Sequence, residues 1–127
     1  MKTILVDAVN TFVLVNEWIN KKMQEMLDKF ENKKIILTNA NEEEKEKFGL
    51  KNLPYELFTL EHNPNKPDPK YYKIFLEKYD LNPEDVVYFE HNLDAVKSAQ
   101  SVWINTFYYD KDKKDLEWLE KFLRENL

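Results

Sequence analysis

Short apolar runs alternate with longer amphipathic stretches along this chain. The apolar runs predict five strands, over Thr3–Val6, Lys34–Leu37, Tyr55–Leu60, Val86–Phe89 and Val102–Tyr108. Strands that alternate with helices in this way are typical of a parallel sheet covered by helices on both faces. The pattern therefore predicts an α/β fold, a three-layer doubly wound parallel five-stranded sheet, formed as a single domain over residues 1–127.

Capping residues and the 3.6-residue spacing of apolar positions predict the helices between these strands. The predicted helices cover about Asn16–Glu31, a short stretch between Asn41 and Gly49, a segment capped by Asp68, a segment that opens at about Asn92, and a terminal stretch around residues 116–123. Gly49 fits the position just after a helix end, where a left-handed backbone favours glycine. The chain then returns to an apolar strand after each helix.

Composition excludes several classes of site. With no cysteine, the chain can form no disulfide, zinc–thiolate site, iron–sulfur cluster or cysteine nucleophile. Its single glycine, Gly49, rules out the glycine-rich phosphate loops of nucleotide-binding proteins. A net charge of −5 and a single arginine, Arg124, disfavour nucleic acid as a partner. No apolar run approaches the roughly 20 residues of a membrane helix, so we expect a cytoplasmic protein with no membrane partner.

Polar side chains follow the predicted strands where ligands bind in open parallel sheets, at the carboxyl ends. Asp7 ends the first strand, Thr38 ends the second, a proline-bounded loop carries Lys66, and Glu90 with His91 ends the fourth. A carboxylate there can attack phosphorus while a hydroxyl and an ammonium hold the phosphoryl oxygens and a second carboxylate anchors magnesium. This set of residue types predicts phosphoryl transfer.

Four segments of the chain resemble, in order, the four motifs of the haloacid dehalogenase (HAD) superfamily. They are Ile4–Thr11, Ile35–Asn39, Lys66–Pro69, and Val86–Asn92 followed by Ala99. The resemblance implies a Rossmann-like HAD core. It also implies that Asp7 is the nucleophile, Thr38 the phosphate-binding hydroxyl and Lys66 the ammonium between nucleophile and phosphoryl group.

Two positions depart from the family pattern. Val9 stands where the family's phosphatases have an aspartate that acts as general acid and base, help that is worth roughly 10²–10⁴-fold in rate. His91 occupies the position of a magnesium-binding aspartate. The implied metal ligands are therefore Asp7, the Val9 carbonyl, Glu90 and His91. Since magnesium prefers oxygen ligands, we expect Mg²⁺ binding to be weakened or lost.

The chain has no room for the cap that usually closes the site in this superfamily. Only one helix fits between Asp7 and Thr38, and the stretch Thr59–Lys66 is predicted to be a loop. The chain therefore resembles the capless branch. An open site implies a macromolecular phosphorylated substrate that acts as its own lid, or a homo-oligomer in which a neighbouring subunit covers the mouth.

The sequence leaves two functions open. The first is a phosphohydrolase or phosphotransferase that works slowly through an aspartyl-phosphate on Asp7. The second is a catalytically inactive binding or regulatory module with the same fold. A dehalogenase ranks last, because those enzymes need a large cap and an arginine near the nucleophile, and Arg124 lies in the predicted terminal helix.

Four further residues are expected to take no part in the chemistry. Trp18, Trp103 and Trp118 fit apolar faces and are predicted to lie in the core or an interface. His62 lies in a polar loop and is predicted to face solvent without a role.

Overall fold

The computed structural model describes residues 1–127. Its central sheet contains five parallel strands, β1 (Thr3–Asp7), β4 (Lys34–Thr38), β5 (Glu56–Thr59), β6 (Val86–Glu90) and β7 (Asn105–Tyr108). Two short strands, β2 (Val13–Leu14) and β3 (Trp18–Ile19), form a separate antiparallel hairpin. The order across the sheet is β5-β4-β1-β6-β7, so β1 lies at the centre.

Four helices connect the strands, and a fifth follows the last strand. They are α1 (Lys21–Leu27), α2 (Glu42–Lys47), α3 (Pro69–Lys78), α4 (Leu93–Ser101) and α5 (Leu116–Asn126), with a single 3-10 turn at Pro83–Asp85. Buried residues of α1 and α5 pack on one face of the sheet, and those of α3 and α4 pack on the other. The predicted three-layer parallel sheet without a cap is therefore confirmed. None of these helices has the length and apolar character needed to cross a membrane.

Alternating side chains on the strands supply both cores. In β1, Ile4 and Val6 join the cluster that contains α1 and α5, whereas Leu5 joins the cluster under α3 and α4. All three side chains are fully buried. Because both faces of β1 are covered, the strand reads as a continuous apolar run until it reaches Asp7.

The predicted first helix, about Asn16–Glu31, is too long at both ends, since α1 covers only Lys21–Leu27. Instead of a helix from Asn16, the chain forms the β2–β3 hairpin, with Asn16 and Trp18 both in the left-handed region at φ 66°. The helix begins only after Asn20, whose side chain accepts a hydrogen bond from the Met23 amide at 3.2 Å. The apolar spacing that predicted the helix is real only from Met23 onward, because two left-handed residues break the helical repeat.

The last strand is also shorter than predicted, since α4 continues to Ser101. Trp103 takes a left-handed conformation at φ 70°, and the Ile104 amide donates back to the Ala99 carbonyl at 3.2 Å. This hydrogen-bond pattern closes a helix end, so the apolar residues 102–104 complete the helix instead of opening the strand.

Strand register aligns the polar ends at one edge of the sheet. Val6 pairs with Phe89 and Asp7 pairs with Leu37, so Glu90 and Thr38 each come one residue after a partner of β1. The parallel directions of the strands therefore bring Asp7, Thr38 and Glu90 to the same edge.

Candidate active site

A buried lysine joins two buried carboxylates at this edge. The Lys66 ammonium lies 2.7 Å from Asp7 Oδ1 and 2.8 Å from Glu90 Oε1. The exposed fractions of the Asp7, Glu90 and Lys66 side chains are only 3%, 1% and 7%. Lys66 is 59 residues from Asp7 and 24 residues from Glu90 in the sequence, so the fold brings three distant positions into contact.

The second oxygen of Asp7 is bound by two other side chains. Thr11 Oγ1 donates to Asp7 Oδ2 at 2.6 Å, and His91 Nδ1 is hydrogen-bonded to the same oxygen. Thr11 is fully buried and lies four residues after Asp7, where the chain turns sharply through Asn10 at φ 70°. Its role could not be read from the sequence, because the turn that returns its hydroxyl to Asp7 has no helical or strand periodicity.

The environment holds Asp7 in its charged form. Burial disfavours the carboxylate, but the charge of Lys66 and the hydrogen bond from His91 outweigh that cost and lower the pKa of Asp7 well below its usual range. Burial also disfavours the charged lysine, yet the two carboxylates raise the pKa of Lys66 well above its usual value. The site thus presents an ionised carboxylate beside an ammonium at neutral pH.

Glu90 differs from Asp7 although both acids contact Lys66. Burial and the nearby charge of Asp7 raise the pKa of Glu90 to about 7. Its oxygens also accept from the Tyr88 hydroxyl at 2.5 Å and from the Asn92 amide at 3.0 Å, and the Tyr72 hydroxyl lies 3.2 Å from that of Tyr88. Tyr88 and Glu90 are two residues apart on one strand and so share a face, which is the only sequence signal for this contact.

Local structure fixes the position of Lys66. Asp68 caps α3 by accepting from the Lys70 amide at 2.9 Å, and Pro69 is the first helical residue, as predicted. One turn earlier, the Lys66 amide donates to Asn39 Oδ1 at 2.8 Å. The backbone of the loop is therefore tied to the end of β4, which directs the ammonium toward Asp7.

These groups line a cleft of about 430 Å³. Thr38 and Val9 lie on its wall with Asp7, Lys66, Glu90 and His91, so the structure brings all the predicted site residues to one cleft. Thr38 Oγ1 accepts a hydrogen bond from the Ala40 amide at 3.3 Å, and the Thr38 carbonyl accepts from Tyr71 at 2.7 Å. Asp94 is exposed on the first turn of α4 and does not line the cleft.

The rim of the cleft contains a second histidine–carboxylate pair that the sequence did not reveal. His62 Nε2 is hydrogen-bonded to Glu44 Oε1, and His62 Nδ1 lies 2.8 Å from Asn65 Oδ1. The hydrogen bond to Glu44 raises the pKa of His62. His62 is exposed, as predicted, and it lines the cleft; its predicted lack of a role stays a prediction.

The three tryptophans do not lie in the core, and their predicted place in an interface stays a prediction. Trp18, Trp103 and Trp118 are 73%, 85% and 58% exposed. Trp18 lies in the hairpin and Trp103 in the turn after α4, two positions that the sequence assigned to regular elements. Their exposure follows from the same two errors in element boundaries.

Three side chains in the cleft are close enough together to bind one metal ion. Ligand atoms of Asp7, Glu90 and His91 all lie within 4.8 Å of one another. The two carboxylates fit the oxygen preference of magnesium, whereas the imidazole of His91 does not. The donor set is thus suited to a divalent cation, with one ligand that magnesium disfavours.

Comparison with known proteins gives matches in structure only. No protein-family model matches the chain, and no curated protein matches its sequence. A HAD family enzyme from Bacteroides thetaiotaomicron, solved with magnesium and inorganic phosphate, aligns with a TM-score of 0.71 at 12% identity, over 87% of this chain and 95% of that one. A D,D-heptose bisphosphate phosphatase from B. bronchiseptica, also solved with magnesium and phosphate, aligns with a TM-score of 0.66 at 16% identity, over 98% of this chain and 99% of that one.

Both neighbours carry the strand-and-helix core that the motif order predicted. At such low sequence identity, the similarity establishes the fold and gives no information on the residues of the cleft. The protein therefore has the fold of the haloacid dehalogenase family enzymes, in a small form with no cap inserted between its motifs.

Proposed function

We propose that the protein is a phosphohydrolase that acts through an aspartyl-phosphate on Asp7. The observation that carries the proposal is an ionised, buried Asp7 carboxylate 2.7 Å from the Lys66 ammonium, at the floor of an open cleft. Two structural neighbours, a HAD family enzyme and a phosphatase, were both solved with magnesium and phosphate, which supports the same reaction class.

In this reaction an oxygen of Asp7 attacks the phosphorus of a monoester. The bond from phosphorus to the ester oxygen breaks, and its electron pair leaves with the alcohol. Water then attacks the aspartyl-phosphate, releasing inorganic phosphate and restoring the carboxylate. Lys66 balances the charge between Asp7 and the phosphoryl oxygens, and Thr38, on the cleft wall, offers a hydroxyl to one of those oxygens.

The residues that would hold a metal are Asp7, Glu90 and the Val9 carbonyl, with His91 beside them. Bound Mg²⁺ would supply positive charge to the phosphoryl oxygens. We propose that its binding is weak, because His91 replaces a hard oxygen ligand with nitrogen and because its imidazole is already hydrogen-bonded to Asp7.

We also propose that turnover is slow, because no side chain at position 9 can protonate a leaving group. Val9 lines the cleft but cannot exchange a proton. For an ester whose alcohol is a weak acid, proton donation would then fall to solvent, with the loss of roughly 10²–10⁴-fold that general acid catalysis provides.

An inactive binding module is the second candidate, and one observation favours it. Both oxygens of Asp7 already have partners, with Lys66 on one and Thr11 and His91 on the other. A carboxylate whose hydrogen bonds are satisfied by the protein is a stable structural element without any ligand.

Hydrolysis of an aryl phosphate with magnesium tests these candidates. We expect slow release of phosphate by the wild type and none by Asp7→Asn. Beryllium fluoride, a phosphoryl mimic, should form an adduct on the Asp7 carboxylate that fluorine NMR or a crystal structure detects. Activity that survives Asp7→Asn would contradict the proposal, and an adduct without turnover would favour the binding module.

A further inference from the structure

A second pocket of about 290 Å³ adjoins the cleft and is largely apolar. It lies between the β2–β3 hairpin and the carboxyl end of α2. Its apolar lining residues are Val9, Val13, Leu14, Val15, Trp18 and Phe48. Val9 and Phe48 line the cleft as well, so the two spaces share a wall. The apolar pocket therefore begins at the same two residues that border the cleft.

Trp18 forms the outer wall of the pocket and is held there by Gly49. The glycine ends α2 in a left-handed conformation at φ 69°, and a Cβ on it would lie 3.1 Å from the Trp18 ring. The absence of a side chain thus lets the indole lie against the end of α2. Since Trp18 is 73% exposed, it adds little to the core and instead presents an apolar surface beside the cleft.

Val9 links this pocket to the chemistry of the leaving group. Its apolar side chain lies at the boundary of pocket and cleft and cannot itself donate a proton to a leaving group. An aliphatic alcohol is nearly as weak an acid as water, whose pKa is about 15.7, and leaves poorly as an anion. A phenol has a pKa of about 10 and leaves readily without a proton donor.

We propose that the substrates of this site are aryl phosphates, with the phosphoryl group at Asp7 and the aromatic ring in the apolar pocket between Val9, Phe48 and Trp18. The inference rests on the proposed phosphohydrolase function and specifies its substrate class. Two independent features support it. An apolar pocket shares Val9 and Phe48 with the cleft. The side chain at position 9 cannot donate a proton, and a phenolate leaving group does not need one.

The step is balanced without any further reactant than water. The Asp7 oxygen forms a bond to phosphorus, the bond from phosphorus to the aryl oxygen breaks, and the electron pair leaves on the phenolate. The phenolate takes a proton from solvent. Water hydrolyses the aspartyl-phosphate as described above.

Binding of two phosphonates, which cannot be hydrolysed, tests the pocket separately from turnover. We expect benzylphosphonate to bind at least about tenfold more tightly than methylphosphonate in calorimetry, because burying a ring removes apolar surface from water. Trp18→Ala should reduce this ratio severalfold while methylphosphonate binding is unchanged. Trp103→Ala is the matched control, since Trp103 is also exposed and left-handed but lies at the opposite edge of the sheet, before β7.

Turnover adds a second readout. The ratio of kcat/KM for phenyl phosphate to that for glycerol phosphate should exceed tenfold, and Trp18→Ala should lower it through KM. Equal binding of the two phosphonates, or a ratio that Trp18→Ala leaves unchanged, would overturn the aryl assignment alone. Binding of neither phosphonate, with no hydrolysis of any monoester, would instead overturn the proposed function.

Discussion

A histidine hydrogen-bonded to a carboxylate occurs twice at the cleft, once buried and once at the surface. At the floor, His91 is hydrogen-bonded to Asp7, and the exposed fractions of the two side chains are 20% and 3%. At the rim, His62 is hydrogen-bonded to Glu44, and the exposed fractions are 42% and 33%. In both pairs the pKa of the histidine is raised and that of the acid is lowered.

The difference between the pairs lies in what else contacts them. Asp7 is also bound by Lys66 and Thr11, so the floor pair is one part of a buried network in which each charge has a partner. The rim pair is largely surrounded by water, which screens its attraction. We therefore expect the buried pair to contribute more to stability and chemistry than the exposed pair, although the residue types are similar.

Removing the Lys66 ammonium from the buried network should have the largest effect on stability and activity. Lys66→Met leaves Asp7 and Glu90 buried without their shared cation, which we expect to cost about 3–5 kcal/mol of unfolding free energy and to abolish turnover. Urea denaturation and a phosphatase assay measure the two effects. Lys70→Met, at an exposed position of the same segment, should change stability by less than about 0.5 kcal/mol. Comparable losses in both variants would contradict the assignment of a buried network.

The tyrosine behind Glu90 extends the comparison to neutral partners. Tyr88→Phe removes a hydrogen bond to a fully buried carboxyl group and should cost about 1–3 kcal/mol. Tyr79→Phe removes a hydroxyl that bonds Glu56 at the surface, so its effect should be much smaller. Equal shifts in the urea midpoint would mean that burial does not control the strength of these bonds.

Replacing His91 by an acid should convert the floor pair into a metal site. We expect the double variant Val9→Asp, His91→Asp to bind Mg²⁺ roughly tenfold or more tightly than the wild type, the scale on which changes around metal ligands act. Without metal its carboxylates repel one another, so it should lose stability in chelator and regain it with Mg²⁺. Calorimetry and thermal unfolding measure both effects. A double variant with neither change would contradict the predicted ligand set.

The smallest expected effect is a pH dependence that distinguishes the two histidines. Burial opposes the charged form of His91, but its contacts with Asp7 raise its folded pKa above the unfolded value of about 6.5. The stabilisation from His91 is therefore complete below about pH 6.5 and is lost as the pH rises through the folded pKa. The difference in unfolding free energy between wild type and His91→Asn should thus be larger at pH 6 than at pH 9.

His62→Asn should show the same sign with a smaller slope, because the hydrogen bond that His62 donates to Glu44, which raises the pKa of His62, is exposed to solvent. Glu90, whose pKa of about 7 also makes stability fall as the pH rises, is present in all these proteins. Its contribution cancels between the wild type and His62→Asn, whereas it changes in His91→Asn, because His91 Nδ1 lies 3.3 Å from Glu90 Oε2. A steeper slope for His62 than for His91 would refute the role assigned to burial.

Local signals predicted much of the fold. The Asn41 cap with its reciprocal Glu44 bond, the Asp68 cap and the left-handed Gly49 are set by residues within a few positions of one another. The acids at the ends of β1 and β6, Asp7 and Glu90, could also be predicted, because an apolar strand that ends at an acid places that acid at the edge of the sheet. These features depend on steric effects and hydrogen bonds between residues that are close together in the sequence, so they can be predicted from it.

Where left-handed residues intervene, the local pattern misleads. Asn16 and Trp18 replace the expected first turns of a helix with a hairpin, and Trp103 extends a helix end into the expected strand. Neither asparagine nor tryptophan requires a left-handed backbone, so this conformation could not be predicted from the residue types alone. In the hairpin, the Trp18 ring lies close to Gly49 after the end of α2, which is a contact between distant parts of the chain.

The sequence by itself determined the order of strands and helices, the acid at the end of β1 and the residue types of the cleft. Only the tertiary structure decided which of them touch: Lys66 with both Asp7 and Glu90, Thr11 and His91 with one oxygen of Asp7, and His62 with Glu44. Periodicity and capping act over a few residues, whereas these contacts join residues up to 84 positions apart. Their strength depends on burial, a property of the packed chain that no short segment possesses.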